Sequence, residues 1–151
     1  MMTGIVRRRY LRGLRAVERG DLDSLLGTFD EHCRLIFVGD SPLGADLRTL
    51  PEIRSWFKRF ARLLPNPRFE IHRLVVSGPP WRQRVAGHVW IHGSVDGEPY
   101  ENQFAHFLTL RWGKVIDDLV LEDTQRWARA CERLLAAGVA EAGAAPLVGA
   151  S

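Results

Sequence analysis

Cysteine is scarce in this chain: Cys33 and Cys131 are the only two, with no CxxC spacing. That rules against a disulfide framework and leaves too few ligands for a structural zinc site; two reduced, buried thiols are expected. Long apolar runs are missing as well. No stretch approaches the ~20 residues that span a bilayer. The start of the sequence, MMTGIVRRRYLRGLR, turns charged at once and has no apolar signal core. A cytoplasmic protein without a membrane segment is expected. Lysine is nearly absent, since 19 of the 21 basic residues are Arg. Five of them, Arg7, Arg8, Arg9, Arg12 and Arg15, crowd the first segment. No zinc finger, helix-turn-helix or aromatic-interleaved basic pattern accompanies them, so they read as the solvated face of a helix and nucleic acid is not an expected partner. No internal repeat is present.

What the chain does have is apolar bulk: 46% hydrophobic residues, with five Trp and seven Phe in 151 residues. That suits one globular domain with a real core. Val6, Tyr10, Leu14 and Val17 recur at helical spacing, predicting a helix over roughly 5–19. Gly20 stops it, and Asp21 caps a second helix carrying Leu22, Leu25, Leu26 and Phe29. A short strand is expected over 34–38. Thr49-Leu50-Pro51-Glu52 has capping-box spacing and opens a third helix bearing Ile53, Trp56, Phe57, Phe60 and Leu64, ended by Pro65 and Pro67.

From Phe69 the period changes to two, and strands are expected at about 69–76, 83–95, 100–111 and 115–123. Asp96-Gly97 and Gly113 mark tight turns between them. A last helix over 125–137 turns Trp127, Cys131, Leu134 and Leu135 inward. One domain over 1–137 is expected, followed by a flexible Ala/Gly-rich tail over 138–151. Helices first and an antiparallel meander afterwards make an α+β plan. A strongly curved sheet wrapped against those helices leaves a conical pocket.

The stretch LIFVGDSPLG, Leu35 to Gly44, breaks an apolar run with Gly39-Asp40-Ser41. GDS resembles the nucleophile block of GDS-type esterases. Such an enzyme needs a His–Asp pair to activate the serine, and in that family it arrives as Asp-x-x-His near the end. Here His106 is the last histidine and no Asp-x-x-His follows. Ser41 therefore reads as a turn residue.

The order of elements, with GDLDSLLGTF, GDSPLGADLRTLPEI, Tyr100-Glu101-Asn102, RWGKV and LEDT in sequence, resembles the NTF2-like superfamily. Its SnoaL-like cyclases and ketosteroid isomerases are the relevant members. The resemblance covers roughly residues 5–130. It implies a cone of N-terminal helices on a strongly curved, mixed or antiparallel sheet, a pocket for a small apolar molecule, no cofactor and no metal. It also implies a homodimer through the outer sheet face.

Carried over residue by residue, the isomerase base falls on Asp40, where burial beside apolar walls would raise its pKa. Capping the Ser41–Gly44 turn is the other reading of that residue. The acid of the oxyanion hole falls on His106 and the tyrosine of the first helix on Gly13, one turn from Tyr10. Two functions are then open: an isomerase, cyclase or hydratase using Asp40 as base and His106 as acid or polarising group, or a non-catalytic module for a ligand or protein partner.

Strand parity supplies further candidates. If Asp96-Gly97 is the turn, residues whose numbers add to 193 face each other. Gly87, Val89 and Ile91 then share a face with His106, Phe104 and Asn102. His88, Trp90 and His92 take the opposite face. His88 and His92 stand ~13 Å apart at ~3.3 Å per residue, too far to share a metal. In the last strand Asp118, Val120 and Glu122 share one face, and Asp117, Leu119, Leu121 and Asp123 the other. A single bulge exchanges these faces, so which acids meet the pocket stays open. Asn102 is a candidate to orient substrate or a water. Phe104, Val89, Ile91, Trp56 and Phe60 are candidates for the pocket wall, and Asp118 and Glu122 for substrate contact; the acid that closes this strand in SnoaL-like proteins falls on Asp123, which is a third candidate there or a cap for the last helix.

Overall fold

A computed structural model describes residues 2–149. Helix α1 (Met2–Arg19) leads into a five-residue α2 (Leu22–Leu26). Strand β1 (Phe29–Phe37) and the short β2 (Ala45–Leu47) precede α3 (Leu50–Leu63). The long strands β3 (Arg68–Ser77), β4 (Gln83–Val95), β5 (Glu98–Arg111) and β6 (Lys114–Glu122) follow. Helix α4 (Thr124–Ala136), a 3₁₀ turn (Ala140–Gly143) and β7 (Leu147–Val148) complete the chain. The strands form one seven-stranded sheet in the order β3-β4-β5-β6-β1-β2-β7. β1 runs parallel to β6, and β7 parallel to β2; the other pairs are antiparallel. Among the described residues no helix is long and apolar enough to cross a membrane.

Local chemistry sets most boundaries. Asp21 accepts from the Ser24 backbone to start α2. Thr49 and Glu52 form the full reciprocal capping box at α3. Asp123 accepts from the Gln125 and Arg126 amides at the head of α4. Asp96 (φ 51°) and Gly97 (φ 76°) make the left-handed β4–β5 turn that fixes the register. The resulting pairs are Gly87 with His106, Val89 with Phe104 and Ile91 with Asn102.

Three expectations are corrected. α2 ends at Leu26, and Phe29 is the first residue of β1, paired with Val115. An apolar residue at i+7 serves a strand as readily as a helix once the chain turns. Leu135, expected inside, is 46% exposed. Residues 138–149 do not form a loose tail: β7 pairs with β2, Ala142 is buried, and Glu141 bridges Arg62 and Arg59. Residues 150–151 of that segment lie outside the described residues.

The core fills the space between the concave sheet face and the helices, with Leu35, Ile53, Leu63 and Val89 among its most buried members.

Candidate functional site

Between α1, α3 and the concave face lies a cavity of about 370 Å³. Phe29, Leu35 and Phe37 of β1 line it, with Trp56 and Phe60 of α3 opposite. Trp56 stacks on Phe60 at 5.7 Å between ring centroids and donates from Nε1 to the Leu43 carbonyl at 2.8 Å, which fixes that wall. Exposed Arg9, Arg12, Trp112 and Lys114 also line the cavity and form part of its rim.

Three polar side chains converge on this apolar lining: Tyr10 from α1, His106 from β5 and Asp118 from β6. The Tyr10 hydroxyl lies 2.9 Å from His106 Nδ1, and His106 Nε2 lies 2.6 Å from Asp118 Oδ1. The imidazole and carboxylate side chains are only 13% and 7% exposed. A carboxylate only accepts, so Nε2 carries the shared proton. Burial, and next the negative charge of Asp118, push the Tyr10 phenol above its ordinary pKa, so it stays protonated at neutral pH. Gly87, opposite His106, makes room for it. A Cβ there would stand 3.1 Å from the Tyr10 oxygen and 3.3 Å from Leu74.

A β-bulge decides which acids face inward. β5 and β6 pair Thr109 with Asp117 but Leu110 with Val115, leaving Ile116 as the extra residue. His106 therefore pairs with Val120 rather than Leu119. Asp118, Val120 and Glu122 take the cavity side.

Beyond the His106 chain, Glu122 and Trp127 hold a second polar place. Glu122 Oε1 and Trp127 Nε1 are both shielded from solvent and without a hydrogen-bond partner. Burial, reinforced by the neighbouring Asp123 charge, pushes the Glu122 carboxyl up to about 8. Among the described residues no group of three His, Cys, Asp or Glu side chains could hold a metal ion.

Of the candidates named from sequence, His106, Phe104, Trp56, Phe60, Ile91, Asp118 and Glu122 line the cavity. Four do not. Asp40 is exposed: β1 ends at Phe37, and Gly39 (φ 137°) turns the chain before Asp40, which is absent from the cavity lining. Ser41 accepts from the Leu43 amide, as a turn residue does. Val89 is fully buried and does not line the cavity. Asn102 is also fully buried and already engaged, donating to the Tyr100 hydroxyl (2.9 Å) and the Asp123 carbonyl (3.0 Å) and accepting from the Gln103 amide. Its bonds tie β5 to the start of α4 rather than to a substrate. Asp123 is spent as the exposed helix cap. Sequence reasoning saw Trp127 only as core, and nothing in its spacing distinguishes a core indole from one with a free N–H.

Helices laid across the concave face of an open, curved sheet, with a cavity between, define the NTF2-like class of small α+β domains. Within that class the chain belongs to the SnoaL-like domain family, whose pattern residues 8–117 match. No curated protein matches it in sequence. Among solved structures, PrhC from Penicillium brasilianum NBRC 6234 is 19% identical, with a TM-score of 0.79 over 93% of this chain and 94% of its own. BvnE pinacolase from Penicillium brevicompactum is 20% identical, with a TM-score of 0.71 over 85% and 93%. TerC, co-crystallised with polyporic acid, is 18% identical, with a TM-score of 0.68 over 84% and 98%. At these identities the likeness shows the fold.

Proposed function

We propose that the protein is an enzyme that moves protons on a small, largely apolar organic molecule, as in isomerisation, cyclisation or hydration, with its own side chains as acid and base. The observation that carries this reading is the Tyr10–His106–Asp118 chain set into an apolar cavity. Asp118 fixes the proton on Nε2, which makes Nδ1 the basic nitrogen and aims it at Tyr10. In the base direction the phenol oxygen takes a proton from the substrate as it yields its own to Nδ1. Asp118 stabilises the imidazolium that forms. In the acid direction the same proton returns through Tyr10. Walls of Trp56, Phe60 and Phe104 exclude water and so strengthen each charge interaction. His106 thus takes the base role first considered for Asp40, and Asp118 orients it. BvnE is a pinacolase and TerC was crystallised with polyporic acid, which supports a small-molecule enzyme on this fold.

The test is solvent exchange. A panel of cyclic ketones in D₂O, followed by mass spectrometry, should exchange α-hydrogens faster with the protein than with buffer, and His106→Gln should remove the difference. Exchange no faster than buffer would leave the alternative, a non-catalytic binding module. We further propose self-association through the outer sheet face, where Val75, Phe107 and Leu121 are exposed. A purely monomeric sedimentation profile at micromolar concentration would contradict it. The cytoplasm is the compartment we propose, since its reducing conditions suit two free, buried thiols.

A further inference from the structure

We infer that the mouth of the cavity is a subsite for an oxyanion: the ligand is an amphipathic acid whose head stays at the rim while its apolar body enters toward His106. This rests on the cavity being a small-molecule site, but not on the chemistry at His106. Arg9 and Arg12 of α1 and Lys114 of β6 line the cavity at its exposed rim. Arg9 and Arg12 are three residues apart, so their side chains are neighbours on one helix face. Other arginines of α1 and β5 are paired, Arg15 with Glu18, Arg19 with Asp21 and Arg111 with Asp30. Arg9 and Arg12 have no acid or hydrogen-bond acceptor among the described residues.

Arg9 is nonetheless held in place. Its guanidinium lies against Gly113, where a Cβ would collide with Nη1 and stand 3.1 Å from Cζ. Lys114, next in the chain, donates to the Gly27 carbonyl and keeps two further N–H donors. The turn that carries Gly113 adds a second observation. Arg111 pairs with Lys114, which leaves Trp112 (φ 49°) and Gly113 (φ 79°) as a two-residue turn with both residues left-handed. Asp96-Gly97 makes the same kind of turn with residues that accept it, whereas a bulky Trp is disfavoured there. Trp112 is 70% exposed, so core packing does not offset the strain. It lines the cavity, with Trp81 at 6.2 Å between ring centroids. A strained aromatic kept at a cavity mouth points to a ligand contact, here the apolar stem just below the charged head.

Charge along the lining sets the direction of entry. Lys114 opens β6 at the rim, while Asp118 and Glu122, farther along the same strand, are the only acids on the lining. An anion is disfavoured beside those acids and attracted to the rim, and a ligand cation meets like charge at the mouth. A guanidinium offers paired N–H donors that match a carboxylate or a phosphate.

The test uses the whole chain and three probes with one tail and different heads: decanoate, decyl phosphate and 1-decanol, each below its micelle concentration. Binding is followed in ¹H–¹⁵N spectra of the five indole N–H groups, with Trp112→Phe assigning the Trp112 signal. At least one anion should bind about tenfold tighter than 1-decanol and move that signal, and the tighter anion names the head. Added salt should shrink the preference, because the rim is exposed. Arg9→Gln with Arg12→Gln should remove most of it and leave 1-decanol affinity unchanged. Arg8→Gln with Arg129→Gln takes away the same charge at positions off the cavity lining and should leave the preference intact. Trp112→Asn should raise the melting temperature, because Asn accepts the turn, and weaken binding of the anion; unchanged affinity overturns the indole contact. Equal affinity for all three heads, or equal losses in the two arginine pairs, overturns the subsite and leaves the proposed chemistry standing. Binding of none overturns the cavity as an apolar ligand site and the subsite with it.

Discussion

His106 on the concave face and His92 on the outer face each sit between two polar partners. His106 has Tyr10 at 2.9 Å and Asp118 at 2.6 Å. His92 has Glu70 at 3.1 Å and Glu101 at 3.3 Å. Nearby on the outer face, His72 meets Glu70 and His88 meets Gln103. Solvent separates the two arrangements. Asp118 is 7% exposed, whereas Glu70 is 60% exposed. A contact of similar shape is screened by water on one face and strengthened by its surroundings on the other. The position of a histidine in the pleat, rather than its partner list, decides whether it can do chemistry.

Several substitutions break or sharpen that contrast. The largest effect is expected on proton transfer: His106→Gln or Asp118→Asn should lower ketone exchange by about 10²–10⁴-fold, the usual worth of a positioned acid–base group. His92→Gln should leave it unchanged. Next comes folding stability. Asp118→Ala leaves the buried Nε2–H of His106 without an acceptor and should cost about 1–3 kcal/mol in urea unfolding. Glu70→Ala, on the exposed face, should not move the urea midpoint.

Glu122 gives a pH signature. Its pKa rises from an ordinary 4.5 to about 8 on folding, so its contribution to stability is complete below 4.5 and is lost as pH climbs toward 8. The slope from this group is about 1.4 kcal/mol per pH unit inside that window. Glu122→Gln should flatten the stability profile there. The smallest effect is at Gly87. An alanine crowds the Tyr10 oxygen and should cost about 1 kcal/mol by overpacking, with ketone exchange reduced because Tyr10 is pushed off His106.

Much of this architecture was legible before any coordinates. The Asp-Gly turn fixed the β4–β5 register, which is why Gly87 could be placed opposite His106 from sequence. Capping chemistry at Asp21 and Thr49 located two helix starts. The site was only half legible. Choosing between Asp117/Leu119 and Asp118/Val120/Glu122 depended on whether Ile116 bulges, and one extra residue in a strand leaves no mark in composition. Asp40 was a plausible base because it follows an apolar strand; a backbone turn at Gly39 took it out of reach of the cavity. The ordered 138–149 segment was hidden by its Ala and Gly content, because its anchors are partners far away in sequence, Arg62 for Glu141 and β2 for β7.

The claim that most needs testing is that His106 is held by Asp118 as a buried proton carrier. Long-range ¹H–¹⁵N spectra of the five histidine rings examine it directly. The account predicts one low-field, slowly exchanging Nε2–H signal, assigned to His106 by His106→Gln and lost in Asp118→Asn. An imidazole at His106 whose Nε2 proton exchanges as fast as those of His72 and His92, or a signal that survives Asp118→Asn, would contradict it.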